Sequence, residues 1–385
     1  LYAGAEMQRL PGVARIAALG VLGLAFNLWA TWYLFLPGAT TGRNDFLSFY
    51  AGAKLAGTSG LFNPARVSEV QLRAIGETGD SQKFIRLPCY AIFLKPLAWL
   101  PYRTAYVLWE LLSASALIAA LVLWPGPTAK TKWLIACWLL PVVEGILNGQ
   151  DDSLVLFWAA YCAWLMQRKR PLAAGVALAL AASKYHLLLM IPIVILAQKR
   201  WRLGAGVVLG GGVLLALSFA VAGPDWPWRY LALLRDPRLV PDMGNAPSLY
   251  ASFRGMRFGA ALEIAVVLLI AGVVFQIGLL DTTFERPFAL ALAGGILVSL
   301  HSWLADCTLL LPALMIASET RESPTRLPAL VLVTPAPWFL LQLPAPLPLL
   351  SRALILWLVL AGLAGSERFA GRRPSGGAAD GLEAS

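Results

Sequence analysis

Charge is scarce in this sequence. Asp, Glu, Lys and Arg make up 14% of its 385 residues against 58% hydrophobic, and the mean hydropathy is +0.68. That balance excludes a soluble globular domain. Cysteine is equally sparse. Cys89, Cys137, Cys162 and Cys307 stand in or beside apolar segments without paired spacing, which excludes a disulfide framework or zinc site and leaves them as small core residues. Histidine occurs only twice, as His186 and His301. Neither sits at metal-ligand spacing, because His186 is alone in its segment and His301 and Asp306 lie either side of a helix break. A glycine-rich nucleotide loop is also missing. Gly210, Gly211 and Gly212 fall inside an apolar helix, where a packing surface is expected. No cofactor or metal is therefore expected.

What the chain has in abundance is long apolar runs. A membrane-crossing helix needs about 20 mostly apolar residues, fewer where the bilayer thins. Residues 13–36 meet this, and are too long for a signal-peptide core of about 7 to 15 residues. Further spans are expected over 104–124, 131–147, 152–167, 171–184, 186–198, 203–222, 260–280, 286–300, 304–318, 327–341 and 350–365. The expectation is an all-α polytopic membrane protein with about twelve transmembrane helices. Residues 37–87 are polar and punctuated by glycine, with short helices expected over 44–56 and 64–76. Phe46, Phe49, Tyr50 and Ala53 recur at helical spacing, which predicts that the first of these lies along the membrane surface. Residues 87–100 are apolar but broken by Pro88, Lys95 and Pro96, as in a re-entrant segment. One transmembrane domain over 13–365 follows, with outer loops 37–87 and 223–258. A tail over 1–12 precedes it, and a disordered cytoplasmic tail is expected over 366–385.

The net charge of +10 is spread over small groups between apolar runs, which excludes a nucleic-acid-binding stripe and suits membrane orientation. With Arg9 and Arg15 inside and 87–100 not spanning, Lys130 with Lys132, Arg168 to Arg170, Lys199 with Arg200 and Arg202, Arg286, Arg321 with Arg326, and the C-terminal arginines all fall on the cytoplasmic side. Both termini are then cytoplasmic, in the inner or plasma membrane. If 87–100 crossed, these clusters would face outward.

The remaining polar residues share the opposite side, although nothing in the charge rule requires it. They are Asp45 with Asn44 and Tyr50, then Asn148, Gln150, Asp151 and Asp152, then Lys184 and His186, then Asn245 and Ser248, and finally His301 and Asp306. Carboxylates and amides bind sugar hydroxyls, while Lys and His neutralise a phosphate. Each residue also has a plainer use. Asp45, Asp151 and Asp152 stand where helix caps stand. Lys184 could snorkel to the interface, and His301 beside Trp303 could belong to an aromatic belt.

With those residues in place, the chain resembles glycosyltransferase family 87, the polyprenol-phosphate-sugar-dependent mannosyltransferases of the GT-C membrane superfamily. The likeness rests on Asn44, Asp45 and Phe46 with Phe49, Tyr50, Ala51 and Gly52. It continues through Gly60 to Pro64, Leu94 to Leu97, Trp109, Asn148 to Gln150, Ala174 with Gly175, Ser183 with Lys184, and Asn245 with Ser248. It runs over roughly 13–320 in the family's order, departing at Leu87, Pro88 and Cys89 and at Tyr185. The resemblance implies a GT-C-type fold and an inverting transfer of a hexose, mannose in this family, from a polyprenyl-phosphate donor to a lipid or glycan acceptor at the extracytoplasmic face. It implies Asp45 as general base; Lys184 and His301 are the candidates for steadying the departing phosphate, whose charge grows in the transition state. The rivals are a transporter or flippase of lipid-linked sugar, disfavoured by the lack of an internal repeat, and an O-antigen ligase-like transferase.

Overall fold

The computed structural model describes residues 12–32, 36–76, 82–236, 243–320 and 323–370. Of the expected tails over 1–12 and 366–385, residues 1–11 and 371–385, with Arg9, Arg372 and Arg373, lie outside the described residues, as does Arg321; residues 366–370 are helical rather than part of a disordered tail. Every described element is helical.

Helix α1 (Gly12–Thr31) buries little beyond Gly20, Gly23, Asn27 and Thr31, so most of its apolar surface faces outward. Two short helices follow where the spacing placed them, α2 (Phe46–Leu55) and α3 (Pro64–Ile75). Local chemistry sets the ends of α3. The Asn63 side chain accepts from the Ala65 and Arg66 amides at 3.0 and 3.3 Å, Pro64 opens the first turn, and Gly76 closes it in the left-handed region. The expectation that α2 lies along the membrane surface is corrected. All residues from Phe46 to Ala53 are buried, so the helix is enclosed by protein.

Residues 87–100 form only a short helix, α4 (Pro88–Phe93), and a 3-10 turn (Leu97–Trp99), consistent with a segment that does not cross. Next come α5 (Tyr102–Leu123), α6 (Ala129–Trp138), α7 (Leu140–Leu147), α8 (Asp152–Gln167) and α9 (Pro171–Ala179), which tightens into a 3-10 run (Leu180–Leu188). Beyond these are α10 (Ile191–Ala197), α11 (Trp201–Ala222), α12 (Gly259–Leu280) and α13 (Glu285–Val298). A 3-10 turn (Ala305–Leu310) leads into α14 (Leu311–Glu319), and α15 (Pro348–Ala370) is the last long helix.

Five described helical segments are long and apolar enough to cross a membrane: Gly12–Thr31, Tyr102–Leu123, Pro171–Leu188, Trp201–Ala222 and Gly259–Leu280. Several of the other expected spans are divided into shorter pieces, and proline marks the divisions. Pro141, Pro171, Pro192, Pro312 and Pro337 each occupy the first turn of a helix. There the missing amide costs nothing, whereas in mid-helix it would break a bond. The 131–147 run is thereby split at Leu139, and the 327–341 run is divided into Arg326–Val333 and Ala336–Leu341.

Helices α9 and α11 approach backbone to backbone. A Cβ on Gly175 would lie 2.1 Å from the Leu203 carbonyl oxygen, and one on Gly206 would lie 2.1 Å from that of Leu172. Of the expected glycine packing surface, Gly210 abuts Ala179 and Val176, while Gly211 and Gly212 face open space.

The connections preceding α2 and α8, the Lys184 break and the 305–310 turn all fall at one end of the bundle, and Lys130 and Arg286 at the other. Single cysteines test the orientation expected from the charges. Thr58→Cys, in the exposed loop after α2, is expected to react with a membrane-impermeant maleimide from outside intact cells, and Lys130→Cys only after lysis. The reverse pattern inverts the orientation.

Candidate functional site

One face of α5 holds the site together. Tyr102, Tyr106 and Trp109 recur at i, i+4 and i+7, so their polar tips point the same way. The Tyr102 hydroxyl donates to the Gly42 carbonyl at 2.8 Å, Tyr106 to that of Leu147 at 2.9 Å, and the Trp109 indole to that of Gly149 at 2.9 Å. The turn before α2 and the turn between α7 and α8 are thus both fixed to one rigid helix. Phe46 stacks among these rings, 5.6 Å from Trp109 and 5.8 Å from Tyr102. The Asp45 amide closes the junction by donating to the Asn148 carbonyl at 2.9 Å. Gly149, at φ +69°, lets the chain pass. A Cβ there would lie 2.7 Å from that of Phe46.

Asp45 precedes the first turn of α2 but its carboxylate caps nothing. Asp45 Oδ2 instead accepts from Asn148 Nδ2 at 2.8 Å and from Gln150 Nε2. Burial raises the Asp45 pKa above its ordinary value, against the lowering influence of Lys184, Gln150 and Arg86. The capping reading fails for Asp151 too. Its oxygens lie 3.0 and 3.3 Å from Nη2 and Nε of Arg86, a two-point pairing of the kind a guanidinium favours. Burial pushes Asp151 up, but Arg86 and Lys184 outweigh it and hold the carboxylate below its usual range.

Lys184 stands at a break in its helix, with φ −120° and ψ 51°. It does not snorkel. The ammonium is buried and donates to both oxygens of Asp152 at 2.8 Å, to Asp306 Oδ1 at 2.6 Å and to Gln150 Oε1 at 3.1 Å. Asp151 lies 3.5 Å away. Asp306 is held in turn by the Trp303 amide at 2.6 Å. The Trp303 indole donates to His301 Nε2 at 2.9 Å, so the neutral imidazole carries its proton on Nδ1. Burial lowers the His301 pKa and keeps the ring neutral. The His186 ring lies 6.2 Å from that of His301.

Four expected residues stand apart from this network. Tyr50 donates to the Leu100 carbonyl at 2.8 Å and packs on Tyr102, and Asn44 accepts from Tyr102 at 3.2 Å. Both serve the scaffold. Asn245 and Ser248 lie in a segment joined to the end of α13 by the Leu249 amide and Leu297 carbonyl at 2.8 Å, and Ser248 is fully buried. Arg86 escaped the sequence reading although its place between the polar 37–87 segment and α4 offered a signal. So did Glu144, buried one turn before Asn148.

A cavity of about 480 Å³ opens at the other end of the bundle, beside Pro127, Gln167, Asp281, Arg286 and Glu319. It contains none of the residues above. Within it, Asp281 Oδ1 accepts from the Thr283 amide and hydroxyl at 2.9 and 2.8 Å. Asp45, Gln150, Lys184 and Asp306 thus lie away from this opening.

Comparison with known proteins bears on what that cluster is for. Residues 84–320 match the sequence profile of glycosyltransferase family 87. The chain belongs to glycosyltransferase family 87. No curated protein and no solved structure was found to match it. The family 87 match includes Arg86, the 148–152 turn, Lys184, His301 and Asp306. Asp45 lies upstream of the matched residues and joins them through its bonds to Asn148 and Gln150.

The geometry makes Gly149 a sensitive position. Gly149→Ala adds a strained left-handed residue, costing about 1–2 kcal/mol, and a clash with Phe46. Sugar transfer is expected to fall by at least about tenfold, with a lower unfolding temperature in detergent. Unchanged turnover would mean that the turn does not position Asp45.

Proposed function

We propose that this family 87 glycosyltransferase moves a hexose, with mannose the choice the resemblance implies, from a polyprenyl-phosphate donor to a hydroxyl of a lipid or glycan acceptor. The reaction is an inversion at the extracytoplasmic face of a GT-C-type fold, in the cell membrane. The observation that carries this reading is the arrangement around Asp45. Both side-chain bonds fall on Oδ2, and among the described residues no hydrogen bond reaches Oδ1.

Oδ1 takes the proton of the acceptor hydroxyl as its oxygen attacks the anomeric carbon. The bond from that carbon to the phosphate oxygen breaks, and the electron pair leaves with polyprenyl phosphate. The leaving group is a stable anion and needs no acid. Burial raises the Asp45 pKa, which strengthens the carboxylate as a base. Accessibility decides which cation meets the phosphate. The Arg86 side chain is 13% exposed and that of Lys184 is 3% exposed and already shared among carboxylates. Arg86 and the Nδ1–H of His301 are therefore assigned to the developing phosphate charge.

Asp45→Asn is expected to cut transfer of labelled mannose from polyprenyl-phosphate mannose by about 10²- to 10⁴-fold. The base works as the carboxylate, so wild-type turnover falls as pH drops through the raised Asp45 pKa. The acid limb of the pH profile is expected above the ordinary Asp value of about 3.9. Near-normal turnover by Asp45→Asn would overturn the base assignment. Lipid-linked sugar crossing the bilayer without any transfer by the wild type would revive the transporter.

A further inference from the structure

Gln150 lies between two groups of fixed hydrogen-bonding character. Lys184 Nζ can only donate, and an ionised Asp45 can only accept. An amide lying between them has one satisfying orientation, oxygen toward the lysine and nitrogen toward the carboxylate. That is the arrangement found, with Lys184 Nζ 3.1 Å from Gln150 Oε1 and Gln150 Nε2 donating to Asp45 Oδ2. With the amide reversed, its NH₂ would face the ammonium and its oxygen would face the carboxylate, a double repulsion in a buried place.

We infer that Lys184 is a positioning residue acting on the catalytic Asp45 through Gln150, rather than a ligand of the donor phosphate. Asp152 and Asp306 hold the ammonium, the ammonium sets the amide, and the amide directs its N–H to Asp45 Oδ2, which leaves Oδ1 to face the acceptor. The arrangement also favours the ionised base, because protonating Asp45 weakens Oδ2 as the terminus of a chain of aligned donors. The inference rests on the reading of Asp45 as base. The charged and titratable groups facing Asp45 are Lys184, Arg86, Asp306, Glu144 and Tyr102. Of these, only Lys184 is tied to it through Gln150.

The test is a double-mutant cycle on Lys184→Met and Gln150→Leu. It is read as pH profiles of mannose transfer from polyprenyl-phosphate mannose into a native membrane-lipid extract. Each single change is expected to move the acid limb upward by about one pH unit and to lower kcat with the donor KM little changed. The double variant is expected to shift the limb no further than either single one. If Lys184→Met fails to fold because Asp152 and Asp306 lose their cation, Lys184→Met with Asp152→Asn removes one charge of each sign and supports the same measurement. Three outcomes overturn the inference: an unmoved limb in the lysine variant, additive shifts, or a raised donor KM with an unmoved limb, which would make Lys184 a phosphate ligand. A wild-type profile without an acid limb, or one that persists in Asp45→Asn, would instead overturn the base reading itself.

Discussion

A buried ammonium needs compensating charge, and the site is arranged around that requirement at Lys184. An isolated charge removed from water is expensive unless paired and hydrogen-bonded. Here the compensation comes from Asp152 at the start of α8 and from Asp306 in the 305–310 turn, with Asp151 near by. Elements far apart in the chain must therefore meet at one point, and the lysine's own helix must break to reach them. Asp151 faces a second cation, Arg86, so the carboxylates are divided between two partners. Asp45, by contrast, is held by amides, and among the described residues no cation pairs with it directly. That suits a base that must take up a proton and release it.

The aromatic face of α5 meets the same constraint from the other side. Tyr102, Tyr106 and Trp109 satisfy carbonyls of two turns that would otherwise be unpaired in an apolar setting, and their rings cover the junction with Phe46. The charged cluster and the aromatic wall share the 148–150 turn. Gly149 makes that turn possible by admitting both a left-handed backbone and the close approach of α2.

Much of this was legible in the sequence. Apolar run lengths with the placement of Lys and Arg brought Asp45, Gln150, Lys184 and Asp306 to one end of the bundle, because alternate connections of an antiparallel helical chain must share an end. The partnerships were less legible. Asp45 to Gln150, Lys184 to Asp306 and Arg86 to Asp151 are all distant in sequence, and local patterning carries no signal for them. The capping alternatives for Asp45 and Asp151 failed for that reason: local position favoured a cap, and a buried long-range partner prevailed. The surface placement of α2 failed because apolar spacing cannot tell lipid from an aromatic wall. The twelve spans were counted from hydropathy, whereas proline at the starts of several helices divides the apolar runs into shorter pieces.

The central claim is that Asp45 deprotonates an acceptor hydroxyl in a single displacement, and stereochemistry tests it most directly. With an anomerically pure polyprenyl-phosphate mannose as donor, the anomeric configuration of the product can be read from one-bond carbon–proton couplings. The account predicts complete inversion. Retention would require a covalent or second displacement step, and would contradict Asp45 acting as the base.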